Sequence, residues 1–93
     1  MQRFTDQTVI VTGSSKGIGA AIAHRFAQEG ANVVLNSRSR DDLESVASDL
    51  DEARTLLVEG DVSDVAFAKD LVKRPVERFG GLDCLVNNAG TAT

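Results

Sequence analysis

The sequence contains no tryptophan and no tyrosine, and one residue each of cysteine, proline, histidine and methionine. Without the two larger aromatic types, any stacking against nucleic-acid bases falls to four phenylalanines. A lone cysteine, Cys84, forms no disulfide within the chain, and a reducing compartment is the simpler reading. One cysteine and one histidine, His24, give no cluster with metal-ligand spacing. One proline beside eight glycines is not the composition of a collagen-like or disordered chain. No apolar run approaches the roughly 20 residues that span a bilayer, and Met1 to Asp6 has no apolar signal region. A cytoplasmic protein is expected, without membrane contact.

What is present is ordinary for a globular chain: 42% apolar and 26% charged residues over 93 positions, enough for one small domain. Ten basic against fourteen acidic residues leave a net charge of −4. An acidic balance is poorly suited to neutralising phosphates over a broad face, so no nucleic-acid partner is expected.

Apolar strands alternate with amphipathic stretches. Thr8 to Thr12 is a continuous β-branched and apolar run, as for a strand buried on both faces. Gly17 to Glu29 predicts a helix with Ile18, Ile22 and Phe26 on one face, closed by Gly30. Asn32 to Asn36 is a second strand. Ser39 is a suitable cap for a helix whose inner stripe is Leu43, Val46, Ala47 and Leu50. Thr55 to Val58 is a third strand. A third helix from about Asp64 to Phe79 has Val65, Ala68, Leu71, Val72, Val76 and Phe79 on its inner face. Pro75 predicts a kink or an early end there. Leu82 to Val86 is the fourth strand. This β-α-β-α-β-α-β alternation calls for a parallel sheet with strand order 3-2-1-4 and helices on both faces: an α/β, Rossmann-type doubly wound sheet, incomplete after its fourth strand. Part of the first strand is expected to be exposed, and the fourth strand leaves an unpaired edge prone to association.

The most informative segment is Thr12-Gly13-Ser14-Ser15-Lys16-Gly17-Ile18-Gly19, between the first strand and the first helix. A glycine turn that follows a buried strand and opens a helix offers backbone N–H groups, and the positive end of the helix dipole, to a phosphate. Gly13 permits the reversal, Gly17 a close approach of backbone to diphosphate, and Gly19 close packing of helix and sheet. An ordinary turn that happens to contain glycines is the competing explanation. Other polar groups have plainer ones. Asp41 and Asp42 suit the first turn of a helix. His24 is expected to face solvent. Cys84 is expected to be a small core residue.

The octet has the spacing T-G-x-x-x-G-x-G, and it resembles the cofactor turn of the short-chain dehydrogenase/reductase family. Gly60-Asp61-Val62, Phe79-Gly80-Gly81-Leu82-Asp83 and Asn87-Asn88-Ala89-Gly90 resemble further motifs of that family, in the same order, so the likeness covers Thr8 to Gly90. The resemblance implies a nicotinamide cofactor and a hydride transfer between it and a small-molecule carbonyl or alcohol. It implies that Asp61 and Val62 lie near the adenine, that Asn88, Ala89 and Gly90 lie near the cofactor, and that Asn87 is mainly structural. It also implies a homodimer or homotetramer for the intact enzyme.

The end of the second strand bears on the choice of cofactor. A carboxylate there would bind the 2′-hydroxyl of NAD, whereas this chain has Asn36-Ser37-Arg38. Ser37 and Arg38, with Lys16 from the turn, suit a 2′-phosphate, so NADP(H) is expected over NAD(H). The expected cofactor-binding set is Gly13, Ser14, Ser15, Lys16, Gly17, Ile18, Gly19, Ser37, Arg38, Asp61, Val62, Asn88, Ala89 and Gly90.

The family's reaction requires a tyrosine and a lysine four residues apart, with a serine, downstream of N-N-A-G. This sequence has no tyrosine, so no catalytic residue is assigned, no metal ligand is assigned, and the 93 residues by themselves are expected to be inactive. They are read as the N-terminal part of one NADP(H)-binding domain. The rival is a non-catalytic nucleotide-binding or interaction module. Intact mass distinguishes a chain of 9.9 kDa from a longer protein.

Overall fold

The computed structural model describes residues 4–14 and 17–88. Four parallel strands, β1 (Thr8–Val11), β2 (Asn32–Ser37), β3 (Thr55–Glu59) and β4 (Cys84–Val86), form one sheet in the order β3-β2-β1-β4. Helices α1 (Gly17–Gln28), α2 (Arg40–Ala47) and α3 (Val65–Phe79) connect them, with a short 3-10 turn at Glu52–Arg54 before β3. This is the Rossmann-type order that the alternation predicts. The path moves outward from β1 to β3 and then returns to place β4 on the far side of β1. Strand order therefore reverses at β1, and the crevice at the carboxyl ends beside such a switch point is where open α/β sheets take their ligands.

Register explains the core. Val9 pairs with Val33 and Cys84, and Val11 with Leu35 and Val86. Side chains alternate across the sheet, so Val9, Val11, Val33 and Leu35 face one way, against Ala23 of α1 and Leu43 of α2. Ile10, Val34 and Val58 face the other way, against Leu71 of α3. β1 is buried along its whole length, which corrects the expectation of an exposed stretch. Phe67 and Phe79 of α3, with Leu56, Val62 and Leu82, close over Ile10 and Val34 and cover that face. At its start β1 is clasped by Asp83, whose carboxylate accepts the Thr8 N–H at 2.8 Å while its own N–H donates to the Thr8 carbonyl at 2.9 Å.

Helix faces differ from expectation in detail. On α1 the buried residues are Gly19 and Ala23, flanked by half-buried Ile22, Phe26 and Ala27, whereas Ile18 is 73% exposed. His24 is half-buried, not solvent-facing: its Nε2 lies 3.2 Å from the Val46 carbonyl, in the last turn of α2. Leu50 still packs on the core, although α2 stops at Ala47. α3 runs through Pro75 without ending early. Phe67, Leu71, Pro75 and Phe79 recur every four residues, and the proline ring serves as a buried member of that stripe. Val65, Val72 and Val76, expected on the inner face, sit outside the stripe and are exposed. Among the described residues no helix is long and apolar enough to cross a membrane.

Candidate functional site

β1 ends at Val11, and the chain then reverses into α1. Gly13 adopts φ 62° and Gly17 φ 59°, a left-handed backbone that L side chains rarely occupy. Gly19 is needed for space instead. A Cβ there would collide with the Gly13 carbonyl and come within 2.7 Å of Asn88 Nδ2. The first turn of α1 thus rests directly on the backbone of the preceding turn and on the segment that follows β4.

Because α1 begins at Gly17, the N–H groups of Gly17, Ile18 and Gly19 have no carbonyl one turn back within the helix. The first turn contains no acidic residue. The other two helices start differently. Ser39 caps α2, its Oγ accepting the Asp42 N–H at 3.3 Å, and Asp41 and Asp42 lie in the first turn. Asp64 caps α3, its carboxylate accepting the Ala66 and Phe67 N–H groups at 2.9 and 3.2 Å. The described first turn of α1 carries no carboxylate, and an acid-free helix N-terminus favours an anion.

The turn is fixed by a polar seam that crosses the carboxyl ends of the strands. Thr12 donates its N–H to the Val86 carbonyl at 3.0 Å, and its Oγ accepts the Asn88 N–H at 2.9 Å. The Thr12 hydroxyl lies 3.2 Å from Asn87 Oδ1, and Asn88 Nδ2 donates to the Gly13 carbonyl at 3.2 Å. On the other side, Ser14 is fully buried. Its N–H donates to the Asn36 carbonyl at 2.9 Å, and its Oγ accepts the Asn36 N–H, also at 2.9 Å. Asn36 Nδ2 in turn donates to the Val58 and Gly60 carbonyls at 3.1 and 3.3 Å. Every buried side-chain polar atom described has a partner, as burial demands.

Past the end of β2, Ser37 Oγ accepts the Ser39 N–H at 3.2 Å, and Arg38 is exposed. No hydrogen bond or ion pair among the described residues holds the Arg38 guanidinium. Asp61, beyond β3, is pinned from within its own loop. One carboxylate oxygen accepts the Ser63 N–H at 2.9 Å and the Ser63 hydroxyl at 2.7 Å. Those two bonds, with a smaller contribution from the Arg38 charge, hold its pKa below the usual carboxylate range.

Among the expected site residues, Gly13, Ser14, Gly17, Ile18, Gly19 and Asn88 gather around the β1–α1 turn, and Ser37, Arg38 and Asp61 gather at the ends of β2 and β3. Val62 packs inward on the α3 side of the core. Ser15, Lys16, Ala89 and Gly90 lie outside the described residues. Ser14 directs its polar groups inward to Asn36, so it shapes the turn from behind. Two residues with important parts, Thr12 and Asn36, were not expected in the site. Their signal was available: each is a polar residue at the end of an otherwise apolar strand, where burial obliges it to find partners. Among the described residues, no group of three histidine, cysteine or acidic side chains comes together as a metal site.

A sequence model of the family described as short chain dehydrogenase matches residues 7–93. A Streptomyces violaceoruber protein, named as a ketoacyl reductase of the granaticin polyketide synthase, is 54% identical over 87% of this chain and 32% of its own length. The apo-form glucose dehydrogenase of Caenorhabditis elegans superposes with a TM-score of 0.88 at 39% identity, covering 97% of this chain and 40% of that one. A short-chain dehydrogenase/reductase of unknown function from the same organism, solved with cofactor, gives a TM-score of 0.81 at 38% identity over 88% of this chain and 32% of that one. The chain therefore spans between 32% and 40% of the length of these relatives. Such likenesses favour an oxidoreductase over a non-catalytic module.

Proposed function

This chain belongs to the short chain dehydrogenase family, and we propose that it is the cofactor-binding part of an NADP(H)-dependent oxidoreductase acting on a small carbonyl or alcohol. One observation carries the reading. Two positions suited to an anion lie beyond the carboxyl ends of β1 and β2: the acid-free first turn of α1, and the exposed Arg38, whose guanidinium no described residue holds.

In this reading the backbone N–H groups of Gly17, Ile18 and Gly19 receive the diphosphate. Gly13 and Ser14 give the turn its shape, and Ser15 and Lys16 belong to the same cofactor-binding set. Arg38 and Ser37, with Lys16, take the 2′-phosphate through charge-assisted contacts. Asp61 and Val62 border the adenine, with the Asp61 carboxylate held in place by Ser63. Asn88, Ala89 and Gly90 line the ribose on the β4 side. The nicotinamide, when bound, supplies or accepts the hydride. This chain's residues bind and orient. With no tyrosine in the sequence, they provide none of the substrate proton transfer that the family resemblance implies, and the 93 residues by themselves are expected to give no turnover. The names of the relatives point to a keto group in one case and to a sugar in the other, which supports a carbonyl/alcohol class and no single substrate. A cytoplasmic homodimer or homotetramer is part of the same reading.

The test is a pair of binding titrations. The protein binds NADP(H) more tightly than NAD(H). Arg38→Asp weakens NADP(H) by roughly tenfold or more, the worth of one charge-assisted contact, and inverts the order. An unchanged preference in Arg38→Asp overturns the part given to that residue.

A further inference from the structure

Asn36 closes a strand whose preceding residues, Val33, Val34 and Leu35, are buried and apolar. It is itself only 2% exposed, so its polar groups must find partners inside the protein. Its backbone groups are bound to Ser14 on one side, and its carboxamide bridges to Val58 and Gly60 on the other. Gly60 also donates its N–H to the Ser37 carbonyl at 2.9 Å. One buried residue therefore joins three segments: the β1–α1 turn, the end of β2 that carries Ser37 and Arg38, and the loop that leads to Asp61.

We propose that Asn36 is a positioning residue for cofactor choice, fixing the separation between the α1 N-terminus and Arg38. The inference rests on the NADP(H) reading above and deepens it. A ligand carrying only a diphosphate and a 2′-hydroxyl needs the turn at α1. A ligand that also carries a 2′-phosphate must meet the turn and Arg38 together. Its gain from the second contact exists only while the two positions keep a fixed distance. Asn36 sits between them in the chain of hydrogen bonds, two residues before Arg38, with both sides of its backbone committed to the turn. Loosening it therefore costs a 2′-phosphorylated cofactor more than an unphosphorylated one. A residue that merely supported the fold would weaken both alike.

The experiment compares the ratio of NAD(H) to NADP(H) dissociation constants in wild type, Asn36→Leu, Ser14→Ala and Leu71→Ala. Asn36→Leu keeps the approximate shape and removes the donors to Val58 and Gly60. Ser14→Ala removes the acceptor of the Asn36 N–H without altering β2, and supplies the answer if Asn36→Leu does not fold. Leu71→Ala destabilises the core from α3 without removing any hydrogen-bonding group of the seam. The expected result is a fall of about tenfold in the ratio for Asn36→Leu, the equivalent of one buried polar group left unsatisfied. Ser14→Ala falls in the same direction, and Leu71→Ala keeps the wild-type ratio. Wild-type preference for NADP(H) with an unchanged ratio in the folded seam variants overturns this inference alone. An equal fall in Leu71→Ala also overturns it. Wild type that binds neither cofactor overturns the underlying reading, and this inference with it.

Discussion

Asn88 donates its side-chain N–H to the Gly13 carbonyl at 3.2 Å, and Gly19 fills the space against both of them. The first turn of α1, the turn before it and the segment after β4 are thereby packed into one unit. A single methyl group at position 19 has nowhere to go, because the nearest obstacle is backbone and not the tip of a flexible side chain.

Gly19→Ala is therefore expected to cost about 1–3 kcal/mol of stability, as overpacking does. It should also weaken cofactor binding by about tenfold or more through displacement of the turn. Gly17→Ala makes a useful contrast. A Cβ at position 17 meets nothing within 4 Å, and its penalty comes only from φ 59°, so about 1–2 kcal/mol is expected. Denaturant midpoints and cofactor titrations on both variants check this. A Gly19→Ala variant with wild-type stability and affinity contradicts the packing described.

Asp61 gives a prediction in pH. Its folded pKa lies below the value of an ordinary carboxylate, chiefly through the Ser63 N–H and hydroxyl and secondarily through Arg38. A depressed carboxylate pKa contributes stability that is present above the unfolded value and is lost as the pH falls through the folded value. Full exposure keeps that contribution small, so the pKa itself is the better readout. In a carboxyl NMR titration, Ser63→Ala should raise it toward the ordinary value. Arg38→Ala should raise it by less. A larger response to Arg38→Ala would reverse the order of causes.

The sheet was legible in the sequence because β1, β2 and β3 are short apolar runs separated by helical periods and glycine stops, and burial on both faces leaves a strand few other patterns. The turn was legible for the same reason: Gly13, Gly17 and Gly19 stand where backbone geometry and space require glycine. Helix faces were harder to read. Val72 and Val76 are as apolar as Leu71, and only packing against Ile10 and Val34 decides that Leu71 and Pro75 point inward. Pro75 misleads when read as a missing donor alone, since its ring is also an apolar group that the core can use. His24 could not be placed because its partner, the Val46 carbonyl, belongs to another helix. The polar seam was hidden likewise. Ser14 is far in the chain from Asn36, as Thr12 is from Asn88, and these pairings exist only once β1 lies in register beside β2 and β4.

The central claim is that the opening N–H groups of α1 receive the diphosphate of a nicotinamide dinucleotide. The most direct measurement is a backbone amide NMR titration of the protein with NADP(H). Downfield proton shifts concentrated at Gly17, Ile18 and Gly19, saturating with ligand, are the predicted result. Saturable binding that leaves those three amides unmoved, or no binding of either nicotinamide dinucleotide, contradicts it.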